Sequence, residues 1–204
     1  LSLVGSEMCI RDSPCCGAHR RRPLSGVHLM LLIGGLFLLA LVFLVWKIMA
    51  PAQIYSRFGV SAATHKLLST DLGKGTGRIK LARHGINGIP DAVFEAKASP
   101  HILVGEFKSR KYRDRVKVYE LYQIMLYMGH LRDKYPKHKV TGCLAYADGK
   151  VSVQFDSDLY SALVALKGEF WETLKNRRPV NTTPLHKRIR VNGANPGLRL
   201  SADL

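Results

Sequence analysis

Three short stretches of this chain carry residues able to act together: Ile89-Pro90-Asp91-Ala92-Val93, Val104-Gly105-Glu106-Phe107-Lys108-Ser109 and Gln123-Ile124-Met125-Leu126-Tyr127. Strand side chains repeat every two residues, so Glu106 and Lys108 share a face. Helical side chains four apart also share a face, which groups Gln123 with Tyr127. A hard divalent cation such as Mg²⁺ takes oxygen ligands, commonly one or two carboxylates with water and phosphate. Asp91 and Glu106 offer two carboxylates from neighbouring strands, and the Phe107 backbone carbonyl offers a third oxygen. A metal held there would polarise a phosphodiester and acidify a water. Lys108 is placed to hold that water or neutralise developing charge, with Gln123 and Tyr127 orienting it from the helix.

Taken singly, each residue has a plainer reading. An acid after Gly-x-Pro is commonly a turn residue, and an acid–x–lysine pair on a strand is commonly a surface ion pair worth under about 1 kcal/mol. A glutamine on a helix face is commonly solvated. Their order along the chain shifts the balance, because Glu106 and Lys108 end a strand otherwise apolar enough to be central. Charges there are costly unless they serve a site.

The elements that must position these groups follow from periodicity. Tyr55 to Ser69 reads as a helix or a helix and loop, and Asp71 to Gly77 as a glycine-rich turn without P-loop spacing. Arg78 to Ala82 reads as a strand, His84 to Gly88 as a turn and Ile89 to Ala96 as the partner strand. His101 to Lys108 is a third strand. Val116 to Tyr135 is the clearest helix, ended by Pro136. Val140 to Ala147 and Lys150 to Phe155 form a hairpin about Asp148-Gly149, suited to a tight primed turn. Asp156 to Leu174 is a further helix, capped by Asp156 or Ser157. This order predicts an α/β or α+β domain over 55–176, followed by a basic, irregular tail over 177–204.

The chain has 204 residues and a net charge of +16 from 31 basic and 15 acidic side chains. Residues 51–204 hold 26 basic and 13 acidic residues, so the globular part carries +13 by itself. Such an excess favours a polyanionic partner, nucleic acid or an anionic membrane surface. The basic loop Arg110, Lys111, Tyr112, Arg113 and Arg115 is the natural nucleic-acid contact, with Tyr112 able to stack on a base. Cys9, Cys15, Cys16 and Cys143 form no CxxC pair, which speaks against a disulfide framework or zinc site. Cys143 reads as a small core residue.

Residues 1–27 form an N-terminal segment, of which 1–13 resembles translated adapter read-through and is set aside. An apolar run then occupies 28–50, uncharged from Leu29 to Trp46. Its length meets the requirement of one spanning helix, predicting a single-pass membrane anchor. A cleaved signal peptide would use Ala50-Pro51-Ala52, but the run is long for one and Pro51 falls inside that site. Arg20–Arg22 on one side and Lys47, Arg57 and Lys66 on the other nearly balance, leaving orientation open. Function favours the domain in the cytoplasm.

Gly88-x-Pro90-Asp91, Gly105-Glu106-Phe107-Lys108 and Gln123-x-x-x-Tyr127, in this order, resemble the PD-(D/E)XK nuclease superfamily. The RecB-like, CRISPR-associated exonuclease branch with a Q-x-x-x-Y motif is the most similar. Arg110 to Arg113 and Tyr119-Glu120-Leu121-Tyr122 also resemble that branch, and the likeness covers about 60–175. It implies a restriction-endonuclease-like core, a mixed central sheet flanked by helices, here preceded by one transmembrane helix. It further implies Mg²⁺ or Mn²⁺ at Asp91 and Glu106 and hydrolysis of DNA, single-stranded or at duplex ends. Many such members hold an iron–sulfur cluster on four cysteines near the domain ends. Pro184-Leu185-His186-Lys187-Arg188 has none, so no cluster is expected. Members also often carry an upstream metal-binding histidine, to which His65 corresponds by order, with His84 the alternative. The expectation is a membrane-anchored, metal-dependent deoxyribonuclease; the alternative is a catalytically inactive nucleic-acid- or partner-binding protein on the same fold.

Overall fold

The computed structural model describes residues 26–72, 77–191 and 193–201, the side chains of 26–29 and 45–52 excepted. Residues 1–25, with the peptide 1–13 and Cys9, Cys15 and Cys16, lie outside the described residues. So do 73–76 of the glycine-rich turn, residue 192 and 202–204. The chain separates into two units, Leu1–Leu44 and Val45–Leu204.

Helix α1 (Gly26–Arg57) begins in the first unit. There, every residue from Met30 to Leu44 is exposed. Among the described residues no helix is long and apolar enough to cross a membrane, which corrects the expected transmembrane element of the fold.

In the second unit the elements after α1 are β1 (His65–Thr70), β2 (Leu81–Arg83), β3 (Ile86–Gly88), β4 (Ala92–Ala96) and β5 (His101–Lys108). Then come β6 (Val116–Lys117), α2 (Val118–Lys134), β7 (Lys139–Tyr146) and β8 (Lys150–Gln154). α3 (Ser157–Ala165), α4 (Lys167–Asn176), α5 (Leu185–Arg188) and β9 (Leu200–Ser201) complete it. Five strands form one mixed sheet in the order β1-β4-β5-β7-β8. β5 and β7 are parallel and the other neighbours antiparallel. A parallel pair needs a long crossover, which α2 supplies. Its apolar face, Leu121, Ile124, Met125, Met128 and Leu131, packs on Val93, Ile102, Val104, Leu144, Val151 and Val153. The opposite sheet face buries Ala92, Phe94, Cys143 and Ala145 beneath Phe58, which follows α1. Both faces of the central strands are therefore covered, as their near-continuous apolar sequences require.

Several expectations shift. His65 to Thr70 is a strand, not part of a helix, because it pairs along β4 from His65↔Ala96 to Thr70↔Ala92. The partner of β2 is β3 rather than 89–96: His84 and Gly85 both take positive φ, forming the tight primed turn between them. In the β7–β8 hairpin, Tyr146 and Gly149 still pair through Tyr146 N–H to Gly149 O at 2.8 Å. The turn thus falls on Ala147-Asp148, neither of which has positive φ. The helix expected over Asp156–Leu174 breaks at Leu166. α3 buries Leu159 and Leu163, whereas α4 buries nothing, so the apolar stripe does not continue across the break. Asp156 caps α3, accepting from Asp158 N and Leu159 N at 3.0 Å each.

The tail is also less irregular than expected. Asn195 Oδ1 accepts from Gln154 N at 2.7 Å, and its Nδ2 donates to Gln154 O at 2.9 Å. One side-chain amide thus imitates a neighbouring strand on the edge of β8. β9 pairs in parallel with β6.

Candidate active site

Glu106 and Lys108 close β5, on the face that α2 covers. Lys108 Nζ lies 3.1 Å from Glu106 Oε1 and donates to Gln123 Oε1 at 2.8 Å. Gln123 Nε2 in turn donates to the Tyr127 hydroxyl at 3.1 Å. One carboxylate, one ammonium, one amide and one phenol therefore form a continuous chain from the central strand to the helix.

Asp91 enters from the residue before β4. Its Oδ2 accepts from Phe107 N at 2.7 Å, which fixes it against the end of β5. The backbone of Phe107, expected to contribute its carbonyl, thus also ties the two carboxylates together through its N–H. Two glycines permit this assembly. A Cβ on Gly88 would overlap the Tyr127 ring, and one on Gly105 would overlap the Phe58 ring. The Gly-x-Pro-Asp segment is therefore coupled to the Gln-x-x-x-Tyr helix by contact.

Glu106 is only 5% exposed, and its Oε2 is buried without a hydrogen-bond partner. Burial, then the neighbouring Asp91 charge, pushes the Glu106 carboxyl up despite Lys108 and the Asp91 backbone N–H. Asp91 is likewise raised by burial, against the Phe107 N–H and the charges of Lys108 and Arg57. Two neighbouring carboxyls that burial holds above their ordinary range, Glu106 also through the charge of Asp91, create a local demand for positive charge. Among the described residues no three His, Cys, Asp or Glu side chains gather as a metal group. The donor set is two carboxylates, which suits a hard cation that keeps several waters. The unpartnered Glu106 oxygen beside Asp91 fits such an ion.

Other candidates fall elsewhere. His65 stands opposite Ala96, at the far end of β4 from Asp91, roughly 17 Å away at 3.4 Å per residue. Its Nδ1 meets Thr64 Oγ1 at 2.9 Å. His84 sits in the β2–β3 turn, where its Nε2 accepts from Arg83 Nε at 3.1 Å. Neither joins the carboxylates.

The basic loop divides. Arg110 donates to both oxygens of the buried Glu120, at 2.9 and 2.6 Å, and its guanidinium lies 4.7 Å from the Tyr146 ring centre. Tyr112 packs on Tyr146 at 5.2 Å and donates its N–H to Asp148 Oδ1 at 2.8 Å. Both take part in holding the loop. Lys111, Arg113 and Arg115 are exposed. Glu120 was not singled out from sequence, yet it anchors this region, also accepting from the Tyr146 hydroxyl at 2.8 Å and Lys117 N at 3.1 Å. Its position three residues into α2 was the available clue. Arg57 was missed too: its guanidinium lies 4.1 Å from the Phe107 ring centre. Nothing local in the sequence pointed to that contact. Cys143 is buried and its thiol pushed up to about 11, an inert core group.

No family model matches the chain, and no curated protein sequence is significantly similar to it.

Proposed function

We propose that the second unit is a metal-dependent nuclease hydrolysing DNA phosphodiester bonds, on the plan of the PD-(D/E)XK enzymes it resembles. The observation that carries this reading is the buried, unpartnered Oε2 of Glu106 beside Asp91, with Lys108 held between Glu106 and Gln123. Asp91 and Glu106, with the Phe107 carbonyl as a third oxygen, would hold Mg²⁺ or Mn²⁺. Bound there, the ion would supply Lewis-acid polarisation of the phosphate and charge stabilisation. Lys108 cannot swing freely, because Glu106 and Gln123 both hold its ammonium. That fixes a positive charge where a phosphodiester's leaving oxygen or attacking water needs it, with little reorganisation during the reaction. Tyr127 extends the chain behind Gln123 and sets the amide's direction, so that its oxygen faces the lysine. Lys111, Arg113 and Arg115 are the proposed strand contacts of the loop. The proposed workplace is the cytoplasm, where nucleic acid is.

The test is Mg²⁺-dependent digestion of single- and double-stranded DNA by the chain, with Asp91→Ala and Lys108→Ala beside it. Activity in the parent and its loss in both variants is the expected result. Activity unchanged in both would remove the site assignment. No cleavage of any DNA or RNA form would reassign the site to binding.

A further inference from the structure

We infer that the cleft between the last turns of α1 and the β7–β8 turn is a phosphate-binding subsite that holds a nucleic-acid strand beside the Asp91–Glu106 centre. The cleft has a volume of about 740 Å³ and is lined by Gln53, Ser56, Arg57, Phe107, Asp148 and Lys150, among others. Phe107 is its common wall with the active site. Its backbone N–H binds Asp91, while its ring lies beneath the Arg57 guanidinium at 4.1 Å. The positive charge of Arg57 reaches Asp91 across that single residue.

Lys150 brings the second cation. A Cβ on Gly59 would lie 3.3 Å from Lys150 Nζ, so the ammonium rests against the chain two residues after Arg57. Among the described residues no carboxylate pairs with Arg57 or Lys150. Asp148, the acid in the lining, turns one oxygen to the Tyr112 N–H instead. Two unpaired cations in one cleft, one stacked on a ring, call for an anion. A planar guanidinium held in place matches a phosphate with little loss of freedom on binding. β5 and β7 are parallel and in register to Lys108↔Tyr146, so the cleft and the candidate catalytic groups share one edge of the sheet. In α/β sheets that edge, outside the strand C-termini, is where ligands bind. A polynucleotide laid across it would place one phosphate at Glu106–Lys108 and a neighbouring one at Arg57 and Lys150.

The polynucleotide as occupant rests on the nuclease reading; the phosphate chemistry rests on the cleft. The experiment is fluorescence anisotropy of a labelled single-stranded DNA with the full chain in EDTA, across a salt series. Arg57→Gln and Lys150→Gln are each expected to weaken binding and to lower the salt slope by about 1. Lys137→Ala, an exposed lysine outside the cleft, should leave both unchanged. Lys150 is itself exposed, so its variant keeps the test valid if Arg57→Gln misfolds. Weaker binding in the cleft variants, with no cleavage by the parent, supports the subsite and removes the nuclease reading. Cleavage by the parent, with both variants binding as tightly and as salt-dependently as Lys137→Ala, overturns the subsite alone. No measurable binding by the parent overturns it as well.

Discussion

Asp91 and Glu106 give up stability by being ionised where they are. Burial raises both carboxyls; the charge of Asp91 adds to the shift of Glu106, and that of Asp71 to the shift of Asp91. For a raised acid the folded state holds the proton to higher pH than the unfolded chain does. The stabilising contribution of these groups is therefore complete below the ordinary carboxylate range and is lost as pH rises through their raised values. Glu106→Gln should consequently raise the melting temperature of the metal-free protein at neutral pH, by about 1 kcal/mol in stability. The same variant should lose the extra stability that added Mg²⁺ confers on the parent, which a melting series with and without the ion would read. A lowered metal-free melting temperature would argue that Glu106 is held by something other than electrostatic tension. Lys108→Ala separates the roles differently. It should keep or strengthen Mg²⁺-induced stabilisation while lowering cleavage about a hundredfold or more, measured under metal saturation.

Contacts between elements explain residues that appear idle in isolation. Gly88 has no polar group, yet its lack of a Cβ leaves room for the Tyr127 ring. Gly88→Ala should leave the far-ultraviolet spectrum intact and sharply reduce activity, whereas Tyr127→Phe should have a smaller effect because the ring still fits. Glu120 is a structural counterpart. Burial alone would raise it, but hydrogen bonds from Arg110 and Tyr146 prevail and hold it below its ordinary range. Removing Arg110 would strand that buried carboxylate, so Arg110→Ala should cost about 3–5 kcal/mol by denaturant unfolding. The sequence disclosed what local pattern governs. β5 was legible because an apolar run ends in Glu-x-Lys, and α2 because its apolar residues recur at helical spacing. β1 was not, since Leu67 and Leu68 suit a helix as readily as a strand until β4 lies alongside. Arg57 was hidden for a related reason, its partner Phe107 being fifty residues away. Glu106, Lys108, Gln123 and Tyr127 meet on the faces that periodicity assigns them, because strand and helix periods set direction before tertiary contacts form. His65 was placed by order, and order carries no distance.

At the scale of the whole molecule, the chain carries a formal net charge of +16. Affinity for polyanions should fall steeply with salt, because such an excess of positive charge binds phosphates by releasing their counterions. The segment from 189 to 195 also belongs to the domain. Ile189 is buried, Ala194 N donates to Asp156 Oδ2 at 2.8 Å, and Asn195 closes on Gln154. Deletion after residue 176 should lower the melting temperature and increase aggregation, both read in a single heating experiment with light scattering. The Asn195 clasp has a consequence for synthesis as well. A ribosome completes β8 and the candidate catalytic groups some forty residues before Asn195 exists. Through that interval the nascent chain carries an uncapped sheet edge, the kind of surface onto which another strand can add. Premature termination in this tail would therefore release a chain with its candidate site complete in sequence and its sheet margin open, prone to adding a strand from another chain.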